Sequence, residues 1–275
     1  MPVLTFAIEI ARAAGAVLFR RFEGALAIET KSSARDLVTD ADKSAEALIV
    51  EAIRGRFPGD GILAEESGVA AEGVATWVID PLDGTTNFAH GVPHFCVSIG
   101  LWGPEGARLG VIHDPVRGET FFAERGDGAW LESPRGPNRR LRVGALAELA
   151  PALVATGFSY RRASTGVDNL AEFAAVLPRV QCIRRAGSAA LDLAYVAAGR
   201  LDAYWEHHLS PWDTAAGALL VEEAGGAVER IGGGASWNPW AATVLAGGPG
   251  LVGTLRPILI DAARSRGQDL EYLSR

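Results

Sequence analysis

Two aspartates at the end of an apolar run carry the most chemistry in this chain. They lie in Trp77-Val78-Ile79-Asp80-Pro81-Leu82-Asp83-Gly84-Thr85-Thr86-Asn87-Phe88. The apolar residues read as a buried strand, and the C-terminal ends of such strands are where α/β sites collect ligands. Asp80 at that end can bridge two cations, and Asp83 reaches the same space. After Gly84 the chain can approach an anion closely, because no Cβ intervenes. A helix opening near Thr85 would turn its free N–H groups toward a phosphate. Glu65 and Glu66 upstream, and the Trp212-Asp213 pair downstream, are the candidates for the remaining oxygen donors.

Charge then argues for a cation. Carboxylates about 4 Å apart repel by roughly 4 kcal/mol at an effective dielectric of 20. Acids gathered in this way must protonate or hold metal. An all-oxygen donor set without a histidine or cysteine cluster selects a hard ion, so magnesium is preferred to zinc. Each part has an ordinary reading as well. Asp-Pro-Leu-Asp-Gly is a strong turn sequence. Glu65 and Glu66 could be a solvated strand end, and Asp42 and Asp213 could each be helix-start acids. Glu206 could be a surface acid. His207 and His208 alternate across a strand, so they cannot both point inward, and surface or substrate-rim positions are expected for them. Trp77, Trp205 and Trp212 are expected in the core.

The elements that must position these residues follow from periodicity. Leu4, Ala7, Ile8, Ala11, Ala14, Val17, Leu18 and Phe22 predict a first helix ending near Gly24. A polar loop, Thr30 to Asp36, follows. Thr39 could cap a second helix with Ala41, Ala45, Leu48, Ile49, Ala52, Ile53 and Phe57 on one face, closed by Pro58-Gly59. Gly61 to Ala64 reads as a short strand delivering Glu65. From Trp77 to about Leu131 the pattern is mostly strand, cut by Gly and Pro turns. Arg135 to Arg142 reads as a basic surface loop and a domain boundary.

Beyond it the pattern alternates. Strands are predicted at Leu153–Thr156, Val180–Ile183, Leu201–Trp205 and Thr243–Ala246. Helices are predicted over Val167–Leu177, Ser188–Ala198, Trp212–Ala224, with Gly225-Gly226 at its end, and Leu251–Ala263. The expectation is an α+β domain over 1–140, carrying most of the metal ligands, and an α/β domain over 141–275, contributing Asp213 and substrate contacts.

Composition sets outer bounds. The chain has 275 residues, 48% of them hydrophobic, and a net charge of −7. A broad basic nucleic-acid face is not favoured. Two cysteines, Cys96 and Cys182, are too few for a disulfide framework or zinc site, and Cys96 reads as buried. The opening residues lack a basic n-region, so no signal peptide is expected. No apolar run is long enough to span a membrane. A cytoplasmic setting is the expectation.

Four segments together carry a family resemblance. They are Ala64-Glu65-Glu66-Ser67, the run from Asp80 to Phe88, Gly187 to Leu193, and Leu209-Ser210-Pro211-Trp212-Asp213-Thr214-Ala215-Ala216-Gly217 with Glu223-Ala224-Gly225-Gly226. Their order and spacing resemble the inositol monophosphatase family of metal-dependent, lithium-sensitive sugar phosphatases over nearly the whole chain. The resemblance implies a layered αβαβα sandwich and two to three Mg2+ ions per active site. It implies that Glu65 and Asp80 hold a first ion, helped by the Leu82 carbonyl. Asp80, Asp83 and Asp213 would hold a second, and a third would lean on Glu65 through water. Thr85, backed by Asp42, would orient the attacking water. Gly84 and Thr85 amides would grip the phosphate. Ala189 and Glu206 would touch ring hydroxyls, with Asp83 and Asp213 also near the substrate. Lys31 would face the site.

The implied reaction is hydrolysis of myo-inositol monophosphate or a similar polyol phosphate, by a homodimer. Fructose 1,6-bisphosphate, histidinol phosphate and nucleotide 3′,5′-bisphosphates are the alternative substrates within the family. A regulatory, RNA- or transcription-associated binding protein is the alternative outside it.

Overall fold

The structure is a computed structural model that describes residues 1–22, 28–30, 37–70, 73–160, 166–233 and 237–267. Lys31 lies outside the described residues. Helix α1 (Val3–Phe22) buries Phe6, Ala7, Ile10, Ala11, Ala14 and Leu18. Two short antiparallel strands, β1 (Ile28–Thr30) and β2 (Leu37–Thr39), flank the segment read as a polar loop. Helix α2 (Asp40–Arg56) buries Ala41, Ala45, Ile49 and Ile53 at the three- and four-residue steps that the sequence shows.

The larger sheet has eight strands: β3 (Gly61–Ala64), β4 (Gly68–Ala70), β5 (Thr76–Asp83), β6 (Cys96–Gly103), β7 (Gly106–Asp114), β8 (Glu119–Glu124), β9 (Gly128–Ser133) and β10 (Gly136–Arg140). Their order is β10-β9-β8-β7-β6-β5-β3-β4. Every neighbouring pair is antiparallel except β3 and β5. That parallel pair brings two strand C-termini to the same edge of the sheet, Glu65 after one and Asp80 within the other.

Short helix α3 (Thr85–Ala89) separates β5 from β6. The second sheet has five strands: β11 (Leu153–Thr156), β12 (Cys182–Arg184), β13 (Ala203–His207), β14 (Ala227–Glu229) and β15 (Thr243–Gly247). Their order is β12-β11-β13-β15-β14. Helices α4 (Leu170–Val176), α5 (Ala189–Ala197), α6 (Pro211–Glu223) and α7 (Pro249–Ser265) complete the chain.

Helices α1 and α2 cover one face of the larger sheet, and α6 lies on the other. Helix α5 packs on α6 and reaches β13 and β15, while α4 and α7 pair on the far side of the second sheet. The order of layers is αβαβα. The middle helical layer shares one buried core with both sheets, through residues such as Phe121, Leu193, Leu220, Tyr204 and Val244. Helix α6 sits hard against the larger sheet. A Cβ at Gly110 would lie 2.6 Å from the Ala216 carbonyl oxygen. That close approach sets how far Asp213, at the start of α6, can be from the end of β5.

Two sequence expectations are corrected. The stretch Arg135 to Arg142, read as a loop, contains β10, whose five residues are all exposed. Its register with β9 shifts between Gly136 and Arg139. An edge strand tolerates the missing N–H of Pro137 and the charge of Arg139 and Arg140, so the loop-like composition was misleading. Strands β12 and β13 each begin two residues later than predicted. The apolar run marks the buried part of a strand, while hydrogen bonding marks its ends. Among the described residues no helix is long and apolar enough to cross a membrane.

Candidate active site

In a regular strand Asp80 and Asp83 would point to opposite faces, since side chains alternate. The pairing of β5 with β6 matches Asp80 to Ser98 and Asp83 to Cys96, so three steps on β5 span two on β6. One extra residue in the bulge restores the phase, and Pro81, which has no N–H to lose, sits within it. Both acids thus face one cavity of about 330 Å3, which Glu65, Leu82, Gly84, Thr85, Ala189, Glu206 and Asp213 also line. This size is at the lower end for small-molecule sites. Every ligand and substrate residue expected from the sequence is on the wall of that cavity. Asp42 stands behind it, fully buried.

Main-chain and hydroxyl donors hold each acid. The Leu82 N–H donates to Asp80 Oδ1 at 3.0 Å. Asp83 Oδ2 accepts from the Ser188 hydroxyl and the Ala190 N–H, each at 2.7 Å. Asp213 is the third residue of α6, and its Oδ2 accepts the Ser210 N–H at 2.7 Å. It therefore braces the helix start, as its helix-start reading required, while its carboxyl also lines the cavity. The Thr85 hydroxyl lies 3.2 Å from Asp42 Oδ1 and 3.0 Å from the Leu82 carbonyl oxygen. Gly84 has φ of 100°, and a Cβ there would come within 2.9 Å of the His94 carbonyl. Only glycine fits that turn without strain.

Burial raises the Asp80 carboxyl well above its ordinary range, and Glu65, Asp83 and Asp213 push it further. Burial lifts Asp83 to about 6, with the Ser188 and Ala190 hydrogen bonds pulling against it. Asp213 is raised by burial, then by Asp83 and Glu65. At the other wall Glu206 is lifted to about 7 by burial, against the Tyr204 hydrogen bond and the Arg185 charge.

Among the described residues no three acidic, histidine or cysteine side chains already close into a coordination shell. The donor chemistry nevertheless fits a hard divalent ion. The charges of Glu65, Asp83 and Asp213 raise the proton affinity of Asp80, and those of Asp83 and Glu65 raise that of Asp213. The one arginine or lysine among the described lining residues is Arg185, at the other wall. A cation shared by these acids would replace the missing counter-charge.

Comparison with known proteins agrees with this geometry. Residues 1–265 match the sequence profile of the inositol monophosphatase family. The chain belongs to the inositol monophosphatase family. It is 47% identical over 228 residues to the inositol-1-monophosphatase of Synechocystis, covering 82% of this chain and 77% of that one. It is 48% identical over 241 residues to the Nus factor SuhB of Pseudomonas aeruginosa, covering 84% and 86%. The inositol monophosphatase structure from Anabaena superposes with a TM-score of 0.82 at 42% identity, covering 94% of this chain and 95% of that one. The family is one of metal-dependent phosphoric monoester hydrolases, and the chain is an inositol-monophosphatase-like enzyme of that class.

The structure also shows what sequence reading missed. Glu46 is nearly buried, and its two carboxylate oxygens accept the Glu66 and Ser67 N–H groups at 2.8 and 2.9 Å, fixing the turn that carries Glu65. Its place one helical turn after Asp42 was the available signal. Asn87 Nδ2 donates to the carbonyls of His94 and Ala186, tying α3 to the turn before Ser188. The Tyr160 and Thr86 hydroxyls meet at 2.8 Å across the cavity mouth.

Two expectations about aromatic and histidine residues change. Trp77 and Trp205 are fully buried, but Trp212 is half-buried on the cavity wall. His208 is on the cavity wall, as the rim reading had it, whereas His207 is 2% exposed, with Nε2 3.4 Å from Glu172 Oε1. Strand alternation separated the two correctly, but the inward partner comes from α4, far along the chain.

Proposed function

We propose that this chain is a magnesium-dependent phosphate monoester hydrolase acting on myo-inositol monophosphate or a similar small polyol phosphate. The carrying observation is that Glu65, Asp80, Asp83 and Asp213, from three separated segments, line one cavity beside Gly84 and the Thr85–Asp42 pair. Glu65, Asp80, the Leu82 carbonyl, Asp83 and Asp213 would hold two magnesium ions, with a third weakly at Glu65. Bound magnesium supplies an acidified water and neutralises charge building on the phosphoryl oxygens.

The chain's own groups do the rest. Thr85, with its hydroxyl shared between Asp42 and the Leu82 carbonyl, orients the attacking water. The Gly84 and Thr85 amides bind phosphoryl oxygens. Ser188 and Ala190 keep Asp83 turned toward the reacting centre. Ala189 and Glu206 contact the ring. The relative from Synechocystis named inositol-1-monophosphatase supports this substrate.

The test is phosphate release from inositol 1-phosphate, fructose 1,6-bisphosphate, histidinol phosphate and 3′-phosphoadenosine 5′-phosphate, with magnesium and with EDTA. Inositol 1-phosphate is expected to give the highest kcat/KM, and EDTA to abolish release. EDTA-insensitive release would reject the metal assignment, and a different preferred ester would reject the substrate. A cytoplasmic homodimer belongs to the same proposal, and sedimentation tests its oligomeric part.

A second reading is a regulatory association with RNA or transcription machinery. The relatives named Nus factor support it, as do the exposed arginines Arg135, Arg139, Arg140 and Arg142 in and around edge strand β10. Charge reversal at Arg139 and Arg140 tests it by RNA-binding titration at fixed salt.

A further inference from the structure

Among the acids that line the cavity, the proposed hydrolysis leaves Asp192 without a task. Asp192 lies in the first turn of α5, four residues after Ser188, so the two share a helix face. Ser188 reaches Asp83 from that face, and Asp192 lines the same cavity. The residue is 3% exposed. Among the described residues its carboxyl has neither a hydrogen bond nor an ion pair; burial raises it well above its ordinary range, the charges of Glu206 and Asp83 raise it further, and that of Arg185 opposes them.

Buried carboxyls in folded proteins are normally hydrogen-bonded or paired. An unpartnered carboxyl on the wall of a binding cavity is one that a ligand completes. Its place identifies which part of the ligand. Asp192 feels Asp83, at the phosphate end, and Glu206, at the far wall. The Tyr204 hydroxyl donates to Glu206 Oε2 at 2.5 Å and fixes that second carboxyl.

We propose that Asp192 is a specificity residue whose carboxyl, together with that of Glu206, receives hydroxyl donors of a neutral polyol whose phosphate lies at Gly84 and Thr85. This rests on the phosphatase reading and narrows its substrate class. Two carboxyls face the single Arg185 on this wall, so it offers no surplus positive charge to hold a second phosphate, while neighbouring hydroxyls meet carboxyl oxygens. The site therefore takes polyol monophosphates in preference to sugar bisphosphates.

The experiment measures kcat and KM separately for wild type, Asp192→Ala and Asp192→Asn at saturating magnesium. The substrates are inositol 1-phosphate, fructose 1,6-bisphosphate and p-nitrophenyl phosphate, which has no hydroxyls to read. Asp192→Ala is expected to lose about tenfold in kcat/KM on inositol 1-phosphate, mainly through KM, as one hydrogen-bonding group is worth. Its loss on p-nitrophenyl phosphate is expected to be several-fold smaller. Asp192→Asn keeps an acceptor and drops the charge. It is expected to recover part of the KM while lowering the preference for the monophosphate over the bisphosphate.

Equal losses on all three esters, or no loss on any, overturn the assignment of Asp192. If Asp192→Ala does not fold by circular dichroism, Asp192→Asn decides, and an unchanged preference overturns it. A wild-type enzyme inert on all three esters overturns the hydrolase reading itself, a distinct result.

Discussion

The two ends of the cavity are built differently. At the reacting end, carboxyls sit at strand ends and the start of a helix, and Asp80, Asp83 and Asp213 are each held by a main-chain N–H, with the Ser188 hydroxyl added at Asp83. At the far wall, Glu206 depends on a tyrosine hydroxyl, the Asp192 carboxyl has no hydrogen bond among the described residues, and Tyr160 stands at the mouth while 47% exposed. Backbone donors on rigid elements fix an acid within tenths of an ångström, as catalysis requires. Side-chain partners leave room to adapt, and a wall that reads ligand hydroxyls needs that room. Under the proposed function the contrast would separate residues that set rate from residues that set choice of substrate.

The largest effect is expected from Asp80→Asn. It removes the acid shared by both expected ion sites, and turnover should fall at least a hundredfold with circular dichroism unchanged. Full-rate, magnesium-dependent turnover in that variant would erase the contrast between the two ends.

Ser188→Ala should come next. It leaves the acids in place but frees Asp83 from one donor. Loss of such an outer partner lowers metal affinity or activity by about 10- to 100-fold, which magnesium titration of the initial rate will show. An unchanged magnesium dependence would mean that Ala190 alone holds Asp83.

The pH dependence of stability divides the ends further. Asp83 sits at about 6 and Glu206 at about 7, both above their ordinary values. Each raised group contributes stability that is full below its unfolded value and lost as pH rises through its folded one. The cation-free protein should therefore lose stability from about pH 4 through pH 7, and further as Asp80 and Asp213, also raised, ionise. Saturating magnesium should remove the part due to Asp83 and leave the part due to Glu206. Thermal melts across pH, with and without magnesium, measure this, and superimposable profiles would refute it.

The smallest effect is expected from Tyr160→Phe. It deletes the hydroxyl contact with Thr86 at an exposed mouth, a bond worth about 1 kcal/mol. KM should rise severalfold with kcat and magnesium dependence unchanged. A kcat loss as large as that of Ser188→Ala would move Tyr160 to the reacting end.

Local spacing alone determined much of this protein. The Asp80-to-Asn87 run specified two acids, a glycine turn and a helix start, because bulge, turn and cap chemistry act over a few residues. Helical periodicity marked the buried faces of α1 and α2, because a repeat of three and four residues is the same in any surroundings. Tertiary structure alone decided what meets those faces. Ser188 reaches Asp83 across 105 positions, Glu46 braces the turn of Glu65, His207 turns in toward Glu172, and Arg139 and Arg140 join a sheet edge. Asp192 reads as an ordinary acid of a helix's first turn until α5 is seen packed against the cavity. A residue's type limits the partners it can take, whereas burial and pairing depend on which distant segment the folded chain places opposite it.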